Sequence, residues 1–222
     1  MDEDIASVSL QVSAPVEQPV RPDFQLGTPG GAVAEPPARP EFQIVPLAGL
    51  PVVGVVLALL IAGIVSDRLW ALDFLHVVGG LLWTAIDLFV GFVIGPIIGR
   101  LSVPARVEFS KWFMPRMLLI MPTLVTVTLA AGWQIGRHLG YVAMPYPMHW
   151  WLTASYIVVG VLSVVALGIL EPANLAVLFE LRKPRPDGEL ISKLMRRFVY
   201  TAGVTGVMQI AILIIMTRIA TW

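Results

Sequence analysis

The sequence predicts an all-α integral membrane protein, a bundle of five transmembrane helices that follows a disordered N-terminal tail. Of the 222 residues, 57% are apolar and the mean hydropathy is +0.80. Only 14% are charged, against about 25% in soluble domains. Five apolar segments are each long enough to cross a hydrocarbon core of about 30 Å at a rise of about 1.5 Å per residue.

Residues 1–45 differ in composition from the rest of the chain. They are rich in Pro, Ala, Gly and Ser, and their acidic residues outnumber Arg21 and Arg39. A segment of this kind buries too little apolar surface to offset its ordering entropy, which predicts disorder. The start of the chain lacks a basic stretch followed by an apolar run, so we expect no cleavable signal peptide.

One short motif occurs twice in this tail. Residues 21–26, Arg-Pro-Asp-Phe-Gln-Leu, recur as residues 39–44, Arg-Pro-Glu-Phe-Gln-Ile. A doubled motif with an aromatic anchor suits docking with avidity onto a cytoplasmic or membrane-complex partner protein. The alternative is a duplicated linker that has no partner.

The transmembrane domain is predicted over residues 46–222. Backbone groups in lipid have to be bonded within the protein, and apolar runs of this length favour helices over barrel strands. Pro172 is expected to interrupt the fourth helix. Gly91, Gly95 and Gly99, spaced four residues apart, predict close helix packing. The predicted segments are 46–66, 70–99, 115–138, 150–181 and 195–221.

The distribution of Lys and Arg predicts the orientation. Counting the two in the tail, twelve basic residues fall on the side of the N-terminus and three on the opposite side. By the positive-inside rule the tail is cytoplasmic and the C-terminus external, in the inner (plasma) membrane of a bacterial cell. Tryptophans cluster near the predicted outer interface, where amphipathic rings prefer to lie. They are Trp70, Trp133, Trp150, Trp151 and Trp222.

The chain has three histidines and no cysteine, which excludes disulfides, thiolate zinc sites and thiol catalysis. His76, His138 and His149 are all predicted at the outer edge of the membrane. Imidazoles are strong ligands for haem iron and soft metals. With Met144 and Met148, His149 offers the thioether and imidazole donors that copper(I) prefers. For each histidine alone, the alternative is a hydrated residue at the interface.

A polar stripe follows His76 along the second segment. At 100° per residue, Trp83 and Asp87 lie within about 20° of His76 on one helix face, which predicts that the stripe points into the bundle. Asp87, about 16 Å deeper, and Glu171 in the fourth segment are candidates for a proton path. The alternative for Asp87 is a neutral carboxyl that is hydrogen-bonded to a nearby polar side chain. The candidates for this partner are Thr123, Thr126, Thr128 and Gln209.

Residues 75–83, Leu-His-Val-Val-Gly-Gly-Leu-Leu-Trp, are followed by Leu88, Phe89 and Pro96. This pattern resembles the signature helix of the copper-resistance-protein-D-like superfamily. That superfamily also contains the haem-dependent membrane protoporphyrinogen oxidases and the membrane domain of cytochrome-fused urate oxidases. Residues 121–133 are similar to the next helix of these families. The resemblance implies a four-helix core, with the first segment as an addition and His76 as a ligand of haem b or copper.

Two departures from the oxidases bear on activity. Those proteins carry a lysine just before the signature histidine, where this chain has Asp73. A lysine expected early in the fourth helix is absent from residues 151–154, which read Trp-Leu-Thr-Ala. Oxidase activity is therefore not expected, whereas a haem-binding framework remains compatible with the sequence.

Three functional hypotheses remain open from the sequence. The first is a haem b protein with a redox or electron-transfer role, in which His76 and either His138 or His149 are ligands. The second is a copper-handling protein that uses Met144, Met148 and His149. The third is a non-catalytic accessory subunit of a larger membrane complex. The sequence does not establish whether the protein is an enzyme.

Overall fold

The computed structural model describes residues 42–145 and 148–221. In this part of the chain the fold is all-α, and five helices are long and apolar enough to cross a membrane, which confirms the predicted class. The predicted disorder of the tail and the first copy of its motif, residues 21–26, lie outside the described residues.

Three of the five spans are formed by single helices. The first span starts with a short 3-10 turn, Leu47–Gly49, and continues as α1, Leu50–Ser66. The third span is α4, Val103–His138, and the fifth is α7, Gly188–Ala220.

The second and fourth spans each contain a five-residue π-helical segment. The second consists of α2, Leu69–Phe89, a π segment at Val90–Ile94, and α3, Gly95–Arg100. The fourth consists of α5, Met148–Val165, a π segment at Ala166–Leu170, and α6, Glu171–Leu181.

A proline follows each π segment. Pro96 and Pro172 are the second residues of α3 and α6. Proline has no N–H to donate and its ring crowds the preceding turn, so the wider π turn accommodates it without ending the helix. The interruption predicted at Pro172 is confirmed, whereas the one at Pro96 was not predicted.

The third and fifth spans begin earlier than hydropathy predicted, at residues 103 and 188 rather than 115 and 195. Hydropathy marks only the part of a helix that suits lipid, whereas capping groups set where a helix starts. The side chain of Asp187 accepts hydrogen bonds from the backbone N–H groups of Glu189 and Leu190, so it caps α7 well before the apolar stretch.

The spans differ in how much of their surface is buried. The fifth span is the most central, with 44% of its most apolar window buried, while the corresponding value for the first span is 11%. The first span packs mainly against the third span, with a smaller contact to the second. This peripheral position agrees with four core helices plus one added N-terminal helix.

The described residues of the second motif copy, 42–44, reach the main apolar core. Phe42 and Ile44 are partly buried and pack against this core, while Gln43 between them is exposed. Their apolar side chains are therefore engaged within the chain itself.

Two of the three regularly spaced glycines in the second span lie at a close helix crossing. A Cβ built on Gly91 would overlap the backbone of Gly203, and one on Gly95 would lie 2.6 Å from Val199 Cγ1. A Cβ on Gly99 would meet no atom of another helix within 4 Å among the described residues. The predicted close packing is confirmed for Gly91 and Gly95 and is wrong for Gly99.

Candidate functional site

His76 is anchored to the neighbouring third span. Its Nδ1 lies 2.8 Å from the carbonyl oxygen of Thr128. Because a carbonyl oxygen only accepts, Nδ1 carries the proton and donates it, and the lone pair of the neutral ring is then on Nε2. The hydrogen bond therefore fixes both the tautomer and the orientation of the imidazole.

Glycines provide the space for this arrangement. A Cβ added to Gly132 would lie 2.5 Å from Cε1 and 2.6 Å from Nδ1 of His76, so the ring packs directly against the Gly132 backbone. A Cβ added to Gly79 would lie 2.7 Å from Oγ1 of Thr128. This hydroxyl is buried and has no hydrogen-bond partner in the described part of the chain.

The other two histidines lie at the ends of spans. His138, near the end of the third span, has its Nδ1 3.1 Å from Oδ1 of Asp67, in the connection between the first two spans. His149 lies in the first turn of the fourth span, where its carbonyl accepts a hydrogen bond from the Thr153 hydroxyl.

The three histidines do not form a single metal-binding group in the part of the chain that the structure describes. Among residues 42–145 and 148–221, no three or more His, Asp or Glu side chains are close enough to share a metal ion. Met144 packs against the apolar cluster formed by Ile215 and Ile219, and the side chain of Met148 lies outside what the structure describes. The copper donor set of Met144, Met148 and His149 stays a prediction.

The polar stripe of the second span faces the interior, as predicted. Trp83 and Asp87 are only 5% and 1% exposed, and His76 is partly buried. The stripe contacts two different partners along its length, because His76 is bonded to the third span, whereas Asp87 is bonded to the fifth.

Asp87 is held by two donors from the fifth span. The Thr205 hydroxyl donates to Oδ2 at 3.0 Å, and Nε2 of Gln209 donates to the same oxygen at 2.8 Å. Of the four partners predicted from the sequence, Gln209 is confirmed. In the described part of the chain, the three threonines of the third span are not hydrogen-bonded to Asp87. Thr123, for example, donates to the carbonyl of Leu119. Thr205 was missed because the register between two helices is not encoded in either one alone.

Asp87 and Glu171 line one cavity in the bundle. Its volume is about 230 Å³, and residues of the second, third, fourth and fifth spans line it. Trp83 lies at the same cavity, and the rest of the lining is almost wholly apolar. The two embedded acids singled out from the sequence therefore share one compartment, which lies deeper along the second span than His76.

No family model matches this chain, and no curated protein or solved structure matches it. The likeness to the copper-resistance-protein-D-like superfamily consequently stays a prediction from sequence motifs.

Proposed function

We propose that this protein is an integral membrane haem b protein with a redox or electron-transfer role, in which Nε2 of His76 ligates the iron. The observation that carries the proposal is the hydrogen bond from His76 Nδ1 to the Thr128 carbonyl. Histidines that bind metals almost always donate their other ring N–H to a carbonyl, a carboxylate or water, which orients the ring and raises the basicity of the ligating nitrogen.

The surroundings of His76 fit such a ligand. Gly132 allows the ring to lie close to the third span, where the imidazole donates to the Thr128 carbonyl. When bound, haem would supply an iron centre that takes up and releases one electron. The chain would hold the imidazole in place and surround the centre with apolar helices, which influences the reduction potential.

His138 is the better candidate for a second ligand. The Asp67 carboxylate engages its Nδ1, so a neutral His138 would also have its lone pair on Nε2. His149 remains the alternative, since it lies on a separate span at the start of α5.

An absorption spectrum of the detergent-purified protein, expressed with haem precursor supplied, tests the proposal. We expect a Soret band that is lost in His76→Ala. His138→Ala should retain haem but shift the spectrum from low-spin to high-spin, whereas His149→Ala should leave it unchanged. A protein purified without haem, or a His76→Ala variant with an unaltered Soret band, would contradict the proposal.

The two alternatives have less structural support. Met144, one of the three proposed copper donors, packs against the apolar cluster of Ile215 and Ile219. For an accessory subunit, the second copy of the tail motif would have to be available, but Phe42 and Ile44 pack against the core of their own chain.

A further inference from the structure

We propose that the cavity between Asp87 and Glu171 binds a small organic cation, an ammonium group with an apolar substituent. The ammonium group would lie near the two carboxyl groups, and the substituent would contact the apolar walls. This inference goes beyond the haem proposal and does not depend on it.

The size and chemistry of the cavity favour a small organic ligand. A dry cavity of about 150 Å³ holds benzene, so about 230 Å³ accommodates a single ring with a short amine. Trp83, Met117 and Met121 line the walls. The face of an indole attracts a cation, and thioethers adapt to irregular apolar shapes.

The two acidic residues of the cavity favour a cationic ligand. None of the residues that line it is Lys, Arg or His. Thr205 and Gln209 both donate to Oδ2 of Asp87. Among the described residues no hydrogen bond or ion pair to the Glu171 side chain is found. An ionised carboxyl group without a partner is costly at this depth of a membrane, and an ammonium ligand would offset that cost.

Departures from regular helix geometry point to the same cavity. One π segment, Val90–Ile94, begins three residues after Asp87, and the other, Ala166–Leu170, ends immediately before Glu171. Residues of both segments line the cavity. Such π insertions within α-helices occur frequently at functional sites. Each of the two acids therefore lies close in sequence to a π segment that lines the cavity.

Isothermal titration calorimetry on the full-length protein in detergent tests the proposal with two probes of similar shape. Benzylammonium chloride supplies the cation, and benzyl alcohol is its neutral counterpart. We expect benzylammonium to bind at least tenfold more tightly than benzyl alcohol, and Glu171→Gln to weaken benzylammonium binding at least tenfold. Glu189→Gln and Asp73→Asn remove exposed acids outside the cavity and should leave the affinity unchanged.

A second variant tests the volume of the cavity without changing its charge. Ala166 lines the cavity, so Ala166→Leu should fill part of it and weaken the binding of both probes. Equal affinity for the two probes would overturn the cation proposal, as would a Glu171→Gln variant that binds normally. The proposal would also be overturned if the folded wild-type protein did not bind benzylammonium. The same holds if potassium chloride at equal concentration competed with benzylammonium. The haem spectrum is measured separately, so one proposal can be contradicted while the other stands.

Discussion

The position of the His76 ring depends on the absence of a side chain at Gly132. In Gly132→Ala, the new Cβ would lie 2.5 Å from Cε1 of His76, so the ring has to move and gives up its hydrogen bond to Thr128. We expect the free energy of unfolding, measured by denaturant titration in mixed micelles, to fall by about 1 kcal/mol, the typical net value of one hydrogen bond. Any bound haem should also show an altered Soret band.

Gly136→Ala is the matched control one turn further along the same helix. There the nearest atom to the new Cβ is the Tyr156 hydroxyl at 3.7 Å, an ordinary contact. Alanine is a better helix former than glycine, so stability should be unchanged or higher by up to about 1 kcal/mol. Similar losses in the two variants would contradict the role assigned to Gly132.

The periodicity of one helix predicts which of its residues share a face, and for this protein that prediction was correct. His76, Trp83 and Asp87 turn towards the interior because the angle between them is set within the second span. Their partners on other helices depend on how the spans slide and rotate against one another. Gly132 beside the imidazole was missed for this reason.

The crossing of the second and fifth spans depends on contact between two backbones at Gly91 and Gly203. In Gly91→Ala the new methyl group would overlap Gly203 backbone atoms, which cannot rotate away as a side chain can. The helices would have to separate, and we expect the free energy of unfolding to fall by about 1–3 kcal/mol, as in other overpacked sites.

For Gly99→Ala, two turns later in the same small-residue repeat, we expect no loss of stability. No atom of another described helix lies within 4 Å of the new Cβ, so stability should stay the same or rise slightly, by less than about 1 kcal/mol. Denaturant titration of both variants under identical conditions measures the difference. A loss at Gly99 equal to that at Gly91 would show that the effect reflects glycine flexibility rather than helix contact.

The number and type of the membrane-length helices followed from the sequence, because both depend on length and hydropathy alone. Their interruptions depend on local hydrogen bonding instead. Pro172 predicted an interruption of the fourth span, where the π segment is found. Pro96 was used only as part of the family motif, so the interruption of the second span was not predicted. The starts of the third and fifth spans were missed since charged residues there continue the helices beyond the apolar stretches.

On the scale of the whole molecule, the second span links the two proposed sites. His76 and Asp87 lie on one face, about 16 Å apart along the helix axis, and Trp83 lies between them. The fifth span supplies Thr205 and Gln209 to the deeper site and is the most buried of the five. Its central position could not be predicted, because its hydropathy resembles that of the other spans.

The orientation of the molecule rests on the asymmetry of its basic residues and is open to a direct test. The chain contains no cysteine, so a single introduced cysteine is the only thiol that a maleimide can label. Ala143 and Pro184 are exposed and lie in connections on opposite ends of the bundle. In intact bacterial cells, a membrane-impermeant maleimide should label Ala143→Cys, whereas Pro184→Cys should react only after permeabilisation.

The reverse pattern would place the basic connections outside, against the positive-inside rule, and would put His76 on the cytoplasmic side. Labelling of both positions in intact cells would instead contradict a fourth span that crosses the membrane between them.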